Sequence, residues 1–109
     1  MKKETVFQNK VRAALCKKYG GICLRWNSGL FRPVDSPDRI VRIGMVGVSD
    51  LMYIGDGYVA WIELKEKPNK PTKEQLQFIE EMKKLGHRAG VAYTVEEALE
   101  IASPPPKKP

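Results

Sequence analysis

The feature that most constrains this chain is the tripeptide Gly55-Asp56-Gly57, set between two β-rich runs at residues 48–54 and 58–65. That turn chemistry predicts an antiparallel hairpin. Residues 4–19 carry Phe7, Val11, Ala14, Leu15 and Tyr19 at the three-and-four spacing of an amphipathic helix, which Gly20-Gly21 ends. Residues 22–27 read as a strand. Residues 30–47, with Pro33, Pro37 and Gly44, read as loop apart from a short strand at 40–43. After Pro68-Asn69-Lys70-Pro71, the apolar positions Leu76, Phe78, Ile79, Met82 and Leu85 mark a second helix stopping at Gly86. Residues 89–93 read as a strand, and Thr94 with Glu97 forms a capping box opening a last helix over 95–102. The order α-β-β-β-α-β-α implies an α/β fold, a mixed sheet flanked by helices.

A chain of 109 residues can bury one core without disulfides or structural metals. One domain is expected over residues 1–102. Residues 103–109, Ser-Pro-Pro-Pro-Lys-Lys-Pro, offer nothing apolar to bury and are expected to form a disordered tail. Cys16 and Cys23 belong to no CxxC or Cys/His cluster, which argues against a zinc site and a disulfide framework. No apolar run reaches the length of a signal core or a membrane span, so a protein of the cytoplasm, away from membranes, is expected. The net charge of +6 suits a polyanionic partner, nucleic acid first among them, although charge alone also fits a basic protein kept soluble by self-repulsion.

On the expected hairpin, Asp50 lies in the first arm, and Glu63 and Lys65 lie near the end of the second. Side chains two apart on a strand share a face, which makes Glu63 and Lys65 neighbours. A turn centred on residues 55–57 sets Asp50 level with residues 62 to 63, within cross-strand reach. Phosphodiester hydrolysis needs a divalent cation, an activated water and in-line geometry. Asp50 and Glu63 are hard oxygen donors suited to Mg²⁺ or Mn²⁺, with the Leu64 carbonyl as a further donor, and Lys65 can orient the water or stabilise the transition state. Taken singly, each residue also fits a solvated surface charge.

Together, Gly47-Val48-Ser49-Asp50-Leu51, the turn, and Trp61-Ile62-Glu63-Leu64-Lys65 resemble the two halves of the PD-(D/E)XK nuclease signature. The arrangement is similar to the small VRR-NUC branch over residues 4 to 100, with Ser49 where the family has a proline. The resemblance implies a restriction-endonuclease-like fold and a Mg²⁺- or Mn²⁺-dependent deoxyribonuclease. It also implies a homodimer acting on branched or four-way-junction DNA, of phage type and working in a bacterial host cell. It assigns two assisting residues. Glu4, also a candidate metal ligand, falls three, seven and eleven residues before Phe7, Val11 and Leu15, on the apolar stripe of its helix. The same position is a first turn, where the helix dipole favours Glu regardless. Gln75 shares the inner stripe of its helix with Phe78, Ile79 and Met82, and Thr72 with Gln75 equally forms a capping box.

Lys67, Lys70, Lys73, Arg32, Arg39 and Arg42 are candidates for phosphate contacts. Trp26 and Trp61 are expected in the core rather than stacked on bases. With His87 the only histidine, a His-dependent phosphoesterase has little to work with. The rival to a nuclease is a nucleic-acid-binding module that uses the same basic surface without cleaving.

Overall fold

The fold is taken from a computed structural model, which describes residues 3–26, 29–31, 41–43 and 47–106, with the side chains of 3–5, 29–31 and 41–43 left aside. The element order is α1 (Lys3–Tyr19), β1 (Ile22–Arg25), β2 (Gly29–Phe31), β3 (Val41–Ile43), β4 (Leu51–Gly55), β5 (Tyr58–Leu64), α2 (Lys73–Lys84), β6 (Arg88–Ala92) and α3 (Val95–Ile101).

β4 and β5 form the expected hairpin, with Leu51 paired to Ile62 and Gly55 to Tyr58. Gly57 takes a φ of 80°, a conformation that costs glycine little. β1 adds antiparallel to β4, and β6 adds parallel to β5 after the crossover through α2. The result is a four-stranded mixed sheet in the order β1-β4-β5-β6. A separate antiparallel pair, β2 with β3, departs from the expected order: β3 falls on the short strand read at 40–43, whereas β2 was not foreseen. A run of three residues carries no alternation from which a strand can be read.

Both faces of the sheet are covered. Val11 and Leu15 of α1 and Ala98 of α3 pack with Cys23, Leu51, Tyr53, Ala60, Ile62 and Ala92 in one buried cluster. Trp61, pointing the opposite way from its neighbours Ala60 and Ile62, meets Phe78 of α2 edge-on at 5.1 Å between ring centroids. Trp26 corrects the expectation of a core tryptophan. Its ring lies 6.0 Å from that of Trp61, but the residue is 42% exposed, while α2 packs over β5 and β6.

Both capping boxes are present. Thr72 Oγ1 accepts from Gln75 N at 3.2 Å, and Thr94 Oγ1 accepts from Glu97 N at 3.1 Å. Arg88 donates from Nε to the Ile101 carbonyl at 2.6 Å and from Nη2 to the Glu100 carbonyl at 3.1 Å, tying β6 to the C-terminal end of α3. It also donates to Ser103 Oγ at 3.0 Å, so the first residue of the expected tail is tied to the domain, while Pro104, Pro105 and Pro106 are exposed and outside regular structure. Residues 107–109 lie outside the described residues. Among the described residues, no helix is long and apolar enough to cross a membrane.

Candidate active site

The hairpin register does most of the positioning. Leu51 pairs with Ile62, so one step further along the two strands Asp50 faces Glu63. Three bonds fix the surroundings: Trp26 N–H donates to the Asp50 carbonyl at 2.9 Å, Leu64 N–H donates to Asp50 Oδ2 at 2.9 Å, and Lys65 N–H donates to the Ala92 carbonyl at 3.0 Å. The last continues the β5–β6 ladder past Leu64, which keeps Glu63 and Lys65 on one side of the strand. The segment leading into Asp50 is held from the other direction. Gly47 has a φ of 84°, and a methyl group there would collide with the Glu74 carbonyl in the first turn of α2.

Glu63 is an unusual side chain to find here. It is only 2% exposed, and its Oε2 lies 3.6 Å from Lys65 Nζ, itself largely buried. Its Oε1 is buried with no hydrogen-bond partner. Burial pushes the Glu63 carboxyl up to about 8, and the neighbouring Asp50 charge pushes the same way, with Lys65 opposing. Two carboxyl groups facing each other, one of them buried with an unpartnered oxygen, are poorly neutralised by a single ammonium 3.6 Å from it.

These groups line a cleft of about 400 Å³ at the end of β5. Phe7 and Gln8 of α1 form one wall and Gln75 of α2 another, with Leu64, Asn69 and Lys70 along the rim. The rim loop is pinned by two bonds: Tyr93 Oη donates to the Asn69 carbonyl at 3.0 Å, and Asn69 N–H donates to the Glu66 carbonyl at 2.9 Å. Gln75 serves the cleft and the helix start at once. Its Oε1 accepts from Thr72 N–H at 2.8 Å, which leaves its amide nitrogen as the group it offers to the cleft.

Of the residues expected from sequence, Asp50, Glu63, Leu64, Lys65 and Gln75 come together around this cleft, joined by Lys70. Glu4 lies in the first turn of α1, but its side chain falls outside the described residues, as does that of Arg42 in β3. Arg32 and Arg39 are outside them altogether. Lys67 and Lys73 are exposed and do not line the cleft, and His87 lies in a separate open hollow between α2, β6 and α3. Gln8 is the lining residue that sequence reasoning missed. The signal was available: it stands three residues before Val11 and seven before Leu15, on the same inner stripe that drew attention to Glu4.

Oxygen donors in a polar, partly enclosed cleft suit a hard divalent cation such as Mg²⁺ or Mn²⁺. The unpartnered Glu63 Oε1 and the facing Asp50 carboxylate are the groups that fit one, since a cation between them would hold both as anions. Among the described residues, which do not include the Glu4 side chain, no group of three or more His, Cys, Asp and Glu side chains is placed to hold a metal. No protein-family model matches the chain, and no curated protein matches it significantly in sequence.

Proposed function

We propose that this protein is a Mg²⁺- or Mn²⁺-dependent phosphodiesterase that hydrolyses DNA, with its active site in the cleft at the end of β5. The observation that carries the reading is the buried Glu63, its Oε1 unpartnered, opposite Asp50 and beside Lys65. So costly a grouping is hard to account for as surface charge. When bound, the cation supplies Lewis acidity, neutralising charge that builds on the phosphate during hydrolysis. Asp50 and Glu63 hold it, and the Leu64 N–H fixes the orientation of the Asp50 carboxylate. Lys65 offers a positive charge and a proton donor on the same face, positioned to orient the attacking water or stabilise the transition state. The amide nitrogen of Gln75 can donate to a phosphate oxygen, and Lys70 on the rim adds a phosphate contact.

The net charge of +6 suits a nucleic-acid substrate. The resemblance to VRR-NUC nucleases extends the proposal to a homodimer that prefers branched or four-way-junction DNA in the cytoplasm of a bacterial host. The test is cleavage of labelled junction, duplex and single-stranded DNA in Mg²⁺, Mn²⁺ or EDTA, with Asp50→Ala and Lys65→Ala beside the wild type. Metal-dependent cutting lost in both variants is the expected result. Tight, salt-sensitive binding with no cutting in any metal would sink the nuclease and leave the non-catalytic binding module.

A further inference from the structure

Three buried side-chain atoms among the described residues lack a hydrogen-bond partner: Gln8 Oε1, Ser49 Oγ and Glu63 Oε1. Two of them, Gln8 and Glu63, belong to residues that line one cleft, and the third immediately precedes Asp50. A buried acceptor left unsatisfied costs about 1–3 kcal/mol, and two of them sit on residues that line the same cleft. When Glu63 is ionised both oxygens only accept, and an occupant that satisfies them is then a donor or a cation.

The two amide side chains that line the cleft divide the work. Gln75 already accepts from the Thr72 amide through its oxygen and carries two N–H donors on its nitrogen. The carbonyl oxygen of Gln8 is the reverse: buried, without a hydrogen-bond partner, and one turn before Val11, which anchors α1 in the core. The Val11 anchor fixes this part of the helix, and hence the position of Gln8, relative to the sheet. A divalent cation such as Mg²⁺ takes about six oxygen ligands, and two carboxylates cannot complete that number. A neutral amide oxygen adds a ligand without adding to the repulsion that already lifts the Glu63 carboxyl.

We propose that Gln8 is a third side-chain oxygen donor to the cation site formed by Asp50 and Glu63, acting from α1 while Gln75 contacts the phosphate from α2. The inference rests on the reading of this cleft as a divalent-metal site, and it is tested without any reaction. Mn²⁺ binding to the full chain is followed by isothermal titration and, independently, by the rise in unfolding temperature on adding Mn²⁺. The proteins compared are wild type, Gln8→Met, Gln8→Glu and Asp50→Ala. Gln8→Met keeps the length and shape of the side chain and removes the oxygen, and it is expected to weaken Mn²⁺ binding by about 10- to 100-fold. Gln8→Glu keeps an oxygen and should bind at least as tightly as wild type. Gln8→Met and wild type binding Mn²⁺ equally, while Asp50→Ala binds none, would overturn the role of Gln8 and leave the metal site standing. No Mn²⁺ binding by the wild type would overturn both. Because Gln8→Glu alters the same position and should retain binding, a loss in Gln8→Met alone cannot be ascribed to damage to α1.

Discussion

Replacing Glu63 by Gln should make the metal-free protein more stable at neutral and alkaline pH, and the size of the gain follows from where the carboxyl sits. Its affinity for a proton is raised from the ordinary 4.5 to about 8, first by burial and then by the charge of Asp50. The folded state therefore keeps a proton that the unfolded chain releases throughout that interval. The stability this confers is fully present below pH 4.5, falls as pH rises, and is gone above about pH 8. At about 1.4 kcal/mol for each pKa unit, the loss across the interval is on the order of 3–5 kcal/mol. A domain stabilised by roughly 5–15 kcal/mol would feel that strongly.

Gln at this position carries no titrating proton and resembles the protonated acid in shape. Urea unfolding of wild type and Glu63→Gln in EDTA, at half-unit steps from pH 4.5 to 9, reads the effect of removing this carboxyl from its pairing with Asp50 and Lys65. The two should be close in stability at the acid end and diverge steadily, with the variant the more stable above pH 8. Adding Mn²⁺ at pH 8 should then narrow the gap, since a ligand at 100 times its Kd stabilises by about 2.7 kcal/mol and only the wild type retains both carboxylates to bind it. A constant difference between the two proteins from pH 4.5 to 9 would falsify the argument, because it would mean Glu63 ionises in the folded protein as readily as in water.

Two further substitutions test the scaffold that presents the site. Gly47→Ala places a methyl group against the Glu74 carbonyl in a backbone conformation that L side chains rarely adopt; it should displace the segment leading into Asp50 and lower DNA cleavage by at least about 10-fold, equivalent to about 1.4 kcal/mol in the barrier, at temperatures where circular dichroism still reports a folded protein. Unchanged cleavage would show that the close approach to α2 does not set the position of Asp50. Tyr53→Phe removes a buried ring's hydroxyl that donates to the Gly20 carbonyl at 2.8 Å; because Gly20 is exposed and water can replace the donor, the cost should be about 1 kcal/mol, a fall of roughly 4–8 °C in melting temperature by calorimetry for a domain of this size, with no change in Mn²⁺ binding.

What could be read from the sequence is what local chemistry decides. Gly55-Asp56-Gly57 imposes a turn whatever surrounds it, and Thr72 with Gln75 and Thr94 with Glu97 satisfy helix amides three residues away, so hairpin and helix starts were legible. The register followed from the turn, and with it the facing of Asp50 and Glu63. Other features depend on what packs where. Trp26 carries as much apolar surface as Trp61, yet only the latter lies beneath α2, and no pattern within residues 22–27 says which strand the helix will cover. The β2–β3 pair joins two three-residue runs across a long loop, below the length at which alternation signals a strand.

The burial of Glu63 belongs to the second kind, and it is the property on which the proposed function rests. In the sequence it is one of three charged residues among Glu63, Lys65 and Glu66, indistinguishable from a solvated strand end. It is buried where three elements meet around the cleft at the end of β5: α1 through Phe7 and Gln8, α2 through Gln75, and the segment leading into Asp50, where Gly47 passes close to Glu74. The same contacts that close the cleft hold the fold, most directly at Gln75, whose oxygen starts α2 while its nitrogen remains for the cleft. Stability and reactivity therefore cannot be varied independently at Gln75. They can at Gln8, whose buried oxygen has no hydrogen-bond partner among the described residues and which, as proposed, would serve the cation alone.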